Sequence, residues 1–330
     1  MPIRVLAIRP IEGVGIMAHN IESMFFQGET PWHGLGTKIE RSLTAHEAMV
    51  EAGLDWTVNQ LPLFLADGRE APAKANIRSS DGSILGVVGS RYKPLQNIDA
   101  FDFFDPFLQS GLIQIETAGS LSDGKKVWAL ARITGDDIII VGDDVVRRFI
   151  LLSNSHDGTA AIRVGFTPIR VVCANSLAQA HHDGESKLIR LRHSSRATGD
   201  LSALRDTINI ANQSFEATAA QFRALAARQI NRADLEKYII KVMNCPVDAD
   251  GKLSTRSRNT VDNIVDLFDR GRGADMKSAR GTVWGAYNAI TEHLSHEAGT
   301  DGDKRYTSLW FGQNAGRNTL ALAEALKLAA

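Results

Sequence analysis

The clearest structural signal in the sequence is residues 115–133, IETAGSLSDGKKVWALARI. Two apolar runs flank Asp123-Gly124, and glycine accepts the positive φ that a tight hairpin turn requires. Residues 75–92 repeat this arrangement around Asp81-Gly82. The sequence therefore predicts β-hairpins in this part of the chain. Further apolar runs of strand length lie at 138–141, 149–152, 161–166 and 169–172.

Two helices are predicted among these strands. Thr44 and Glu47 have the spacing of a capping box, in which each residue bonds the backbone N–H of the other. Residues 99–108 place several apolar side chains on one face and predict a single second helix.

The C-terminal half has a helical pattern instead. Apolar residues recur at steps of three and four from Leu201 to Leu225, which predicts one long helix. Polar residues at 194–200 precede it and mark a domain boundary. We therefore expect an α+β fold, with a β-rich N-terminal half containing hairpins and a helical C-terminal half. The expected divisions are an extension at 1–16, a mixed β-rich domain at 17–195, and a helical region at 196–330 that packs on this domain or extends from it.

The amino-acid composition narrows the cellular compartment and the classes of binding partner that we expect. The 37 Lys and Arg residues balance 38 Asp and Glu residues, which excludes a uniformly basic coat but not a local basic patch. Cys173 and Cys245 cannot form a disulfide scaffold, so we expect a cytoplasmic protein. No apolar run approaches the ~20 residues that span a bilayer. We expect neither a membrane segment nor a signal peptide.

Charge is unevenly distributed along the chain. Residues 99–144 contain nine acids and three bases, whereas residues 163–205 contain seven bases and three acids. The near-neutral total therefore conceals an acidic stretch followed by a basic one.

Cofactor motifs are missing. The glycine-rich segments at 271–273 and 299–304 lack the form of a P-loop, and no GxGxxG follows a strand. A calcium loop beginning at Asp248 fails because Ser257 stands where a bidentate Glu is required. His181, His182 and Asp183 lack the spacing of a zinc site. We expect no cofactor and no bound metal.

A polar cluster around His156 raises the possibility of catalysis. His156, Asp157, Cys173, Asn175 and His193 include the residue types of a cysteine nucleophile with its base. The stronger alternative is structural, because Cys173 stands in an apolar run where a lone cysteine behaves as a small buried hydrophobe.

The basic residues at 163–196 suggest that the protein binds nucleic acid. If 187–193 is a strand, Arg190 and Arg192 share one face, which suits phosphate contacts. The alternative is an ordinary solvated face paired with acids from 136–144. The candidate nucleic-acid-binding residues are Arg163, Arg170, Lys187, Arg190, Arg192 and Arg196. Tyr306 and Trp310 are candidate surface aromatics for base stacking, whereas Trp284 and Tyr287 have the spacing of core residues.

Several motifs resemble one protein family. They are Gly28–Gly36 (GETPWHGLG), Arg91–Asn97 (RYKPLQN), Asn154–Gly158 (NSHDG), Arg170–Asn175 (RVVCAN), Arg192-His193 and Gly281–Ala289 (GTVWGAYNA). Together they resemble the phage/plasmid-like family called domain of unknown function 932. The resemblance implies a gene carried by phages and plasmids, and it supplies no catalytic residues. We expect Gly28–Gly36 to be a structural turn.

Three functions follow from these patterns. The first is single-stranded DNA binding or annealing without ATP, by a homo-oligomer with a basic groove. The second is a protein-binding antagonist of a host defence system that uses the acidic stretch 99–144. The third is an enzyme built on His156 and Cys173, which needs these side chains to converge in a pocket.

Overall fold

The computed structural model describes residues 21–27, 36–170, 189–204, 211–248, 250–299, 308 and 313–330. Within these ranges, eleven strands form two sheets. The strands are β1 (Ile21–Phe26), β2 (Thr37–Lys38), β3 (Val58–Phe64), β4 (Glu70–Arg78), β5 (Ile84–Gly89), β6 (Ile113–Leu121), β7 (Lys126–Ile133), β8 (Ile138–Ile139), β9 (Val145–Ser155), β10 (Ile162–Arg170) and β11 (Ile189–Leu191). The helices are α1 (Ala45–Glu51), α2 (Asn97–Asp102), α3 (Asp105–Gln109), α4 (Ala197–Ala203), α5 (Ala211–Ala227), α6 (Arg232–Met243), α7 (Thr255–Arg270), α8 (Val283–Glu292), a π-helix (His293–Glu297) and α9 (Gln313–Ala329).

The larger sheet has the order β11-β10-β9-β7-β6-β1-β2, and β8 also pairs with β9. β1 and β2 are parallel, and the other neighbours are antiparallel. The hairpin predicted at 115–133 is confirmed as β6–β7, with Asp123 and Gly124 both at positive φ. The second predicted hairpin is β4–β5, with Gly82 at φ 74°.

Helices cover both faces of the larger sheet. Alternate residues of β7 show this: Val127 and Ala129 pack with α1, α2 and α4, while Trp128 and Leu130 pack with helices of the C-terminal half. Because both faces are buried, the strand carries an unbroken apolar sequence where a half-exposed strand would alternate with polar residues. The expected α+β fold, β-rich first and helical later, is confirmed.

A buried carboxylate fixes the helical layer to the sheet. Asp144, fully buried just before β9, accepts hydrogen bonds from the Trp284 indole N–H at 2.8 Å and from the Ser278 hydroxyl. Trp284 and Tyr287 are almost fully buried, so the prediction that they are core residues is confirmed.

The smaller sheet, of order β3-β4-β5, packs against the turn that follows β9. A Cβ at Gly86 would lie 2.6 Å from the Cα of Asp157, closer than side chains tolerate. Glycine is therefore required here by the approach of two backbones.

Two details of the sequence prediction are wrong. Residues 99–108 do not form one helix: α2 ends at Asp102 and α3 begins at Asp105, with Pro106 in its first turn. Proline lacks the N–H that would continue the preceding helix. The second detail concerns the runs 161–166 and 169–172, which the sequence predicts as two strands. As far as residue 170 they lie in one strand, β10, which stays paired with β9 through Pro168. Pro168 lies beyond the three residues of β10 that pair with β11.

Some expectations lie outside the described residues. The extension at 1–16 is one of them. The long helix predicted at 201–225 is seen as the end of α4 and as α5, with 205–210 not described. The domain divisions stay predictions. Among the described helices, none has the length and apolar character needed to cross a membrane.

Candidate nucleic-acid interface

Two arginines face each other at one side of the larger sheet. The register of β10 places Arg163 opposite Arg190 of β11 and opposite Ser153 of β9, so the three share a face. Arg163 is half-buried and Arg190 is exposed. Burial, and then the neighbouring Arg190 charge, lower the pKa of Arg163. Like charges directly opposite each other are unfavourable in a sheet.

Two further arginines follow β11. Arg192 is exposed directly after the strand, and Arg196 is exposed where α4 begins. Of the strand predicted at 187–193, the structure has Ile189–Leu191 as β11, and residues 187 and 188 lie outside the described residues. The chain turns after β11, and the Ser194 hydroxyl accepts a hydrogen bond from the Arg196 backbone N–H at 3.3 Å.

A third segment brings two cations that sequence reasoning missed. The backbone N–H of Lys93 donates to the carbonyl of His193 at 3.1 Å. The Tyr92 ring stacks on the His193 ring with centroids 4.4 Å apart. Arg91 and Lys93, both exposed, therefore lie beside the residues that follow β11. In the sequence these two cations stand in the motif Arg91–Asn97, but no sequence pattern indicates that this motif contacts a segment about one hundred residues later.

We call this set the basic edge: Arg91, Lys93, Arg163, Arg190, Arg192 and Arg196. Across the described part of the chain, Arg91, Lys93, Arg190, Arg192 and Arg196 form no ion pair with a carboxylate. Their charges are therefore available to an anionic partner.

The acids of the stretch 99–144 have other roles. Asp137 pairs with Arg132 at 3.0 Å and with Arg147 at 3.8 Å, and Asp144 is buried. Asp123 occupies the β6–β7 turn, at the opposite end of that hairpin from Asp137. Among the described residues, neither Asp123 nor Asp137 forms an ion pair with Arg190.

Of the remaining predicted nucleic-acid-binding residues, the structure describes Arg170 and does not describe Lys187. Arg170 ends β10 seven residues after Arg163, a distance of about 23 Å along a strand. Lys187, Cys173, Asn175, Tyr306 and Trp310 lie outside the described residues.

Asp157 organises the turn between β9 and β10. It accepts hydrogen bonds from the Thr159 backbone N–H at 2.9 Å, from the Thr159 hydroxyl at 2.6 Å and from the Ser155 hydroxyl. The Lys126 ammonium lies 3.1 Å from its second oxygen. Burial raises the pKa of Asp157, but the hydrogen bonds from Ser155 and Thr159 outweigh burial, and the pKa is lowered. The carboxylate is thus ionised and fully engaged.

His156 points away from Asp157, into the core. Its Nε2 lies 3.0 Å from Oδ1 of Asn97, and its ring meets the Trp56 ring edge-on at 5.3 Å. Burial lowers the pKa of His156 to about 3, so the ring is neutral. His156 and Asp157 therefore contact different partners, and this arrangement gives the enzyme hypothesis no support.

Residues 84–310, more than half of the chain, match a protein family described as Domain of unknown function (DUF932). The chain belongs to the DUF932 family. No curated protein and no solved structure matches it.

Three motifs of this DUF932 chain meet at one junction. The Tyr92 hydroxyl donates to the Ser155 carbonyl at 2.6 Å, and the Asn154 amide donates to the Leu95 carbonyl at 3.0 Å. The stack of Tyr92 on His193 adds the third motif. These three motifs, at 91–97, 154–158 and 192–193, thus form the scaffold that holds the basic edge. The Gly28–Gly36 segment precedes the matched range, and of it only Gly36 is described.

Proposed function

We propose that this DUF932 protein binds the phosphate backbone of single-stranded nucleic acid along the basic edge. The observation that carries the proposal is a set of exposed cations on three neighbouring segments that have no carboxylate partner among the described residues. Phosphate contacts of this kind supply affinity without reading sequence.

The stacked pair of Tyr92 and His193 supports a single strand as the ligand. It is half-buried and lies among the cations, between Arg91 and Lys93 in one segment and beside Arg192 in the other. Proteins that bind single strands combine a basic groove with aromatic side chains. The proposed activity is binding or annealing without ATP. We further propose that it serves the replication or recombination of a phage, plasmid or related element, the setting that the resemblance of its motifs implies.

The test is the triple variant R190A/R192A/R196A, with binding followed by fluorescence anisotropy of a labelled oligonucleotide. The matched control removes three exposed cations of the helical half, Arg228, Lys252 and Lys277. Both variants lose three positive charges, so only position distinguishes them.

We expect the basic-edge variant to bind much more weakly and the control variant to bind like the wild type. Each lost phosphate contact should also reduce the slope of log K against log salt by about 0.7, or about 2 for three contacts. Equal weakening in both variants would reject the basic edge as the binding surface.

A further inference from the structure

Exposed apolar side chains concentrate on the smaller sheet. In the described residues, eleven large hydrophobic residues are exposed, and five of them lie between Val58 and Gly89. Ile84 and Val87 of β5 are 64% and 60% exposed, the second of these opposite Ala75 and Leu61 in one cross-strand row. Apolar groups that cluster on a surface, unlike scattered ones, mark an interaction site.

The two faces of this sheet have different surroundings. Val58 and Val88 are buried, and Gly86 lies against the backbone of Asp157, so one face is covered by the rest of the protein. The row of Leu61, Ala75 and Val87 lies on the other face, where Leu61 and Val87 are exposed and the small Ala75 between them is buried.

β5 also has an open backbone edge. Besides β4, no described segment forms a hydrogen bond with the backbone of residues 84–88. An edge strand with unpaired N–H and C=O groups is a template for another strand.

Four other described strands pair with one neighbour only, and each carries protection that β5 lacks. β2 and β8 have two residues each, β11 has three and carries Arg190, and β3 contains Pro62, which has no N–H to donate. β5 is ILGVVG, six residues with no proline and no charge. Short length, charge and proline are the usual means by which proteins block edge pairing.

We propose that β5 pairs with β5 of a second copy of this chain, antiparallel, to form a six-stranded sheet across the dimer. A two-fold contact requires a surface that complements itself, and an uncharged apolar strand meets this requirement. A charged partner strand would find no countercharge along β5.

Size sets the strength of this dimer. Six paired residues span about 20 Å, which is short for an interface that needs to bury roughly 1,200 Å² to be stable. We therefore expect a weak dimer whose population rises with protein concentration. Main-chain hydrogen bonds supply much of its affinity. This inference is independent of the proposed nucleic-acid binding.

The experiment is sedimentation velocity of the full chain, freed of nucleic acid, over a hundredfold range of concentration. The test variants are V87K and I84K, each placing a charge on an exposed position of β5. The matched control is V247K, at a valine that is 54% exposed outside the sheet. Circular dichroism checks that all variants are folded.

We expect the wild type and V247K to shift from monomer to dimer as concentration rises, while V87K and I84K stay monomeric. A wild type that stays monomeric throughout overturns the proposal, whichever other partner covers β5. So does dimerisation of both β5 variants at wild-type concentrations. Neither outcome bears on oligonucleotide binding, which the basic-edge variants test separately.

Discussion

Lowering the pH from 7.5 to 5 should remove about 4 kcal/mol from the free energy of unfolding, because the fold holds the buried His156 and the half-buried His193 in the neutral form. Asn97 donates through its amide to the carbonyls of Leu54 and Trp56, so its Oδ1 accepts from Nε2–H of His156. The Nδ1 of His156 is then a buried acceptor with no partner among the described residues. The pKa of His193 is lowered mainly by burial, which outweighs the hydrogen bonds of its ring to the backbone of Ala160, at 3.2 Å from Nε2, and of Lys93.

The magnitude follows from the pKa values. Burial lowers the pKa of His156 to about 3 and that of His193 to about 4, against about 6.5 in an unfolded chain. Below pH 6.5 the unfolded chain therefore takes up protons that the folded chain does not. Because pH 5 lies about 1.5 pH units below the pKa of an unfolded histidine, each of the two histidines lowers the free energy of unfolding by about 2 kcal/mol at this pH. The stabilisation is complete above pH 6.5 and is lost as the pH falls toward 3.

The assay is urea unfolding followed by circular dichroism at pH values between 7.5 and 5. Few carboxylates are protonated in this window, so the histidines dominate the slope. The wild type should lose about 2.5 kcal/mol per pH unit near pH 5 from this pair, and H193Q should lose about half of that. The control is H46Q, at an exposed histidine of α1.

The test compares how steeply the free energy of unfolding changes with pH in the wild type and in H193Q. H193Q also loses some stability at pH 7.5, but this loss does not affect its slope with pH, which is lower because residue 193 no longer titrates. If the wild type and H193Q lose stability in parallel between pH 6.5 and 5, His193 is not a buried neutral group and the reasoning fails. If H46Q flattens the slope as H193Q does, the effect does not belong to the buried pair.

Two further predictions concern stability measured by denaturant unfolding. G86A should cost about 1–3 kcal/mol, because its Cβ meets the backbone of Asp157, whereas G89A on the same strand meets open space and should change stability by less than about 0.5 kcal/mol. Equal costs would place Gly86 outside a close contact. D144A should cost about 3 kcal/mol, because it removes the acceptor for the buried Trp284 and Ser278 donors, while its exposed neighbour D143A should be nearly neutral. A mild D144A variant would mean that this carboxylate does not anchor the helical layer.

Elements specified by short-range chemistry could be predicted from the sequence. The turns at Asp81-Gly82 and Asp123-Gly124 need positive φ at glycine, and the structure has it. The capping box is confirmed, with Glu47 N–H donating to the Thr44 hydroxyl at 3.2 Å and Thr44 N–H donating to the Glu47 carboxylate at 2.9 Å. These signals involve residues at most three positions apart.

Elements that are decided by tertiary packing could not be predicted from the sequence. The break between α2 and α3 places Phe103 and Phe104 in the core, almost fully buried, which periodicity alone did not indicate. Pro168 reads as a strand breaker, yet β10 pairs with β9 on both sides of it. In each case the neighbouring elements outweigh the local preference.

The candidate site was predicted in part. The sequence drew attention to Arg163 and Arg190, and β10–β11 pairing makes them neighbours. It could not place Arg91 and Lys93 beside them, because that contact depends on Tyr92 reaching Ser155 and His193 across 63 and 101 positions. Charge counts along the chain do not contain such contacts.

The most direct test of nucleic-acid binding at the basic edge is a titration of the wild-type chain with a labelled single-stranded oligonucleotide between 50 and 200 mM salt. If the five exposed cations of the basic edge each contact a phosphate, affinity should fall about 130-fold over this range, against about 7-fold for R190A/R192A/R196A. Absence of detectable binding at 50 mM salt, or binding that does not change with salt, would contradict the account.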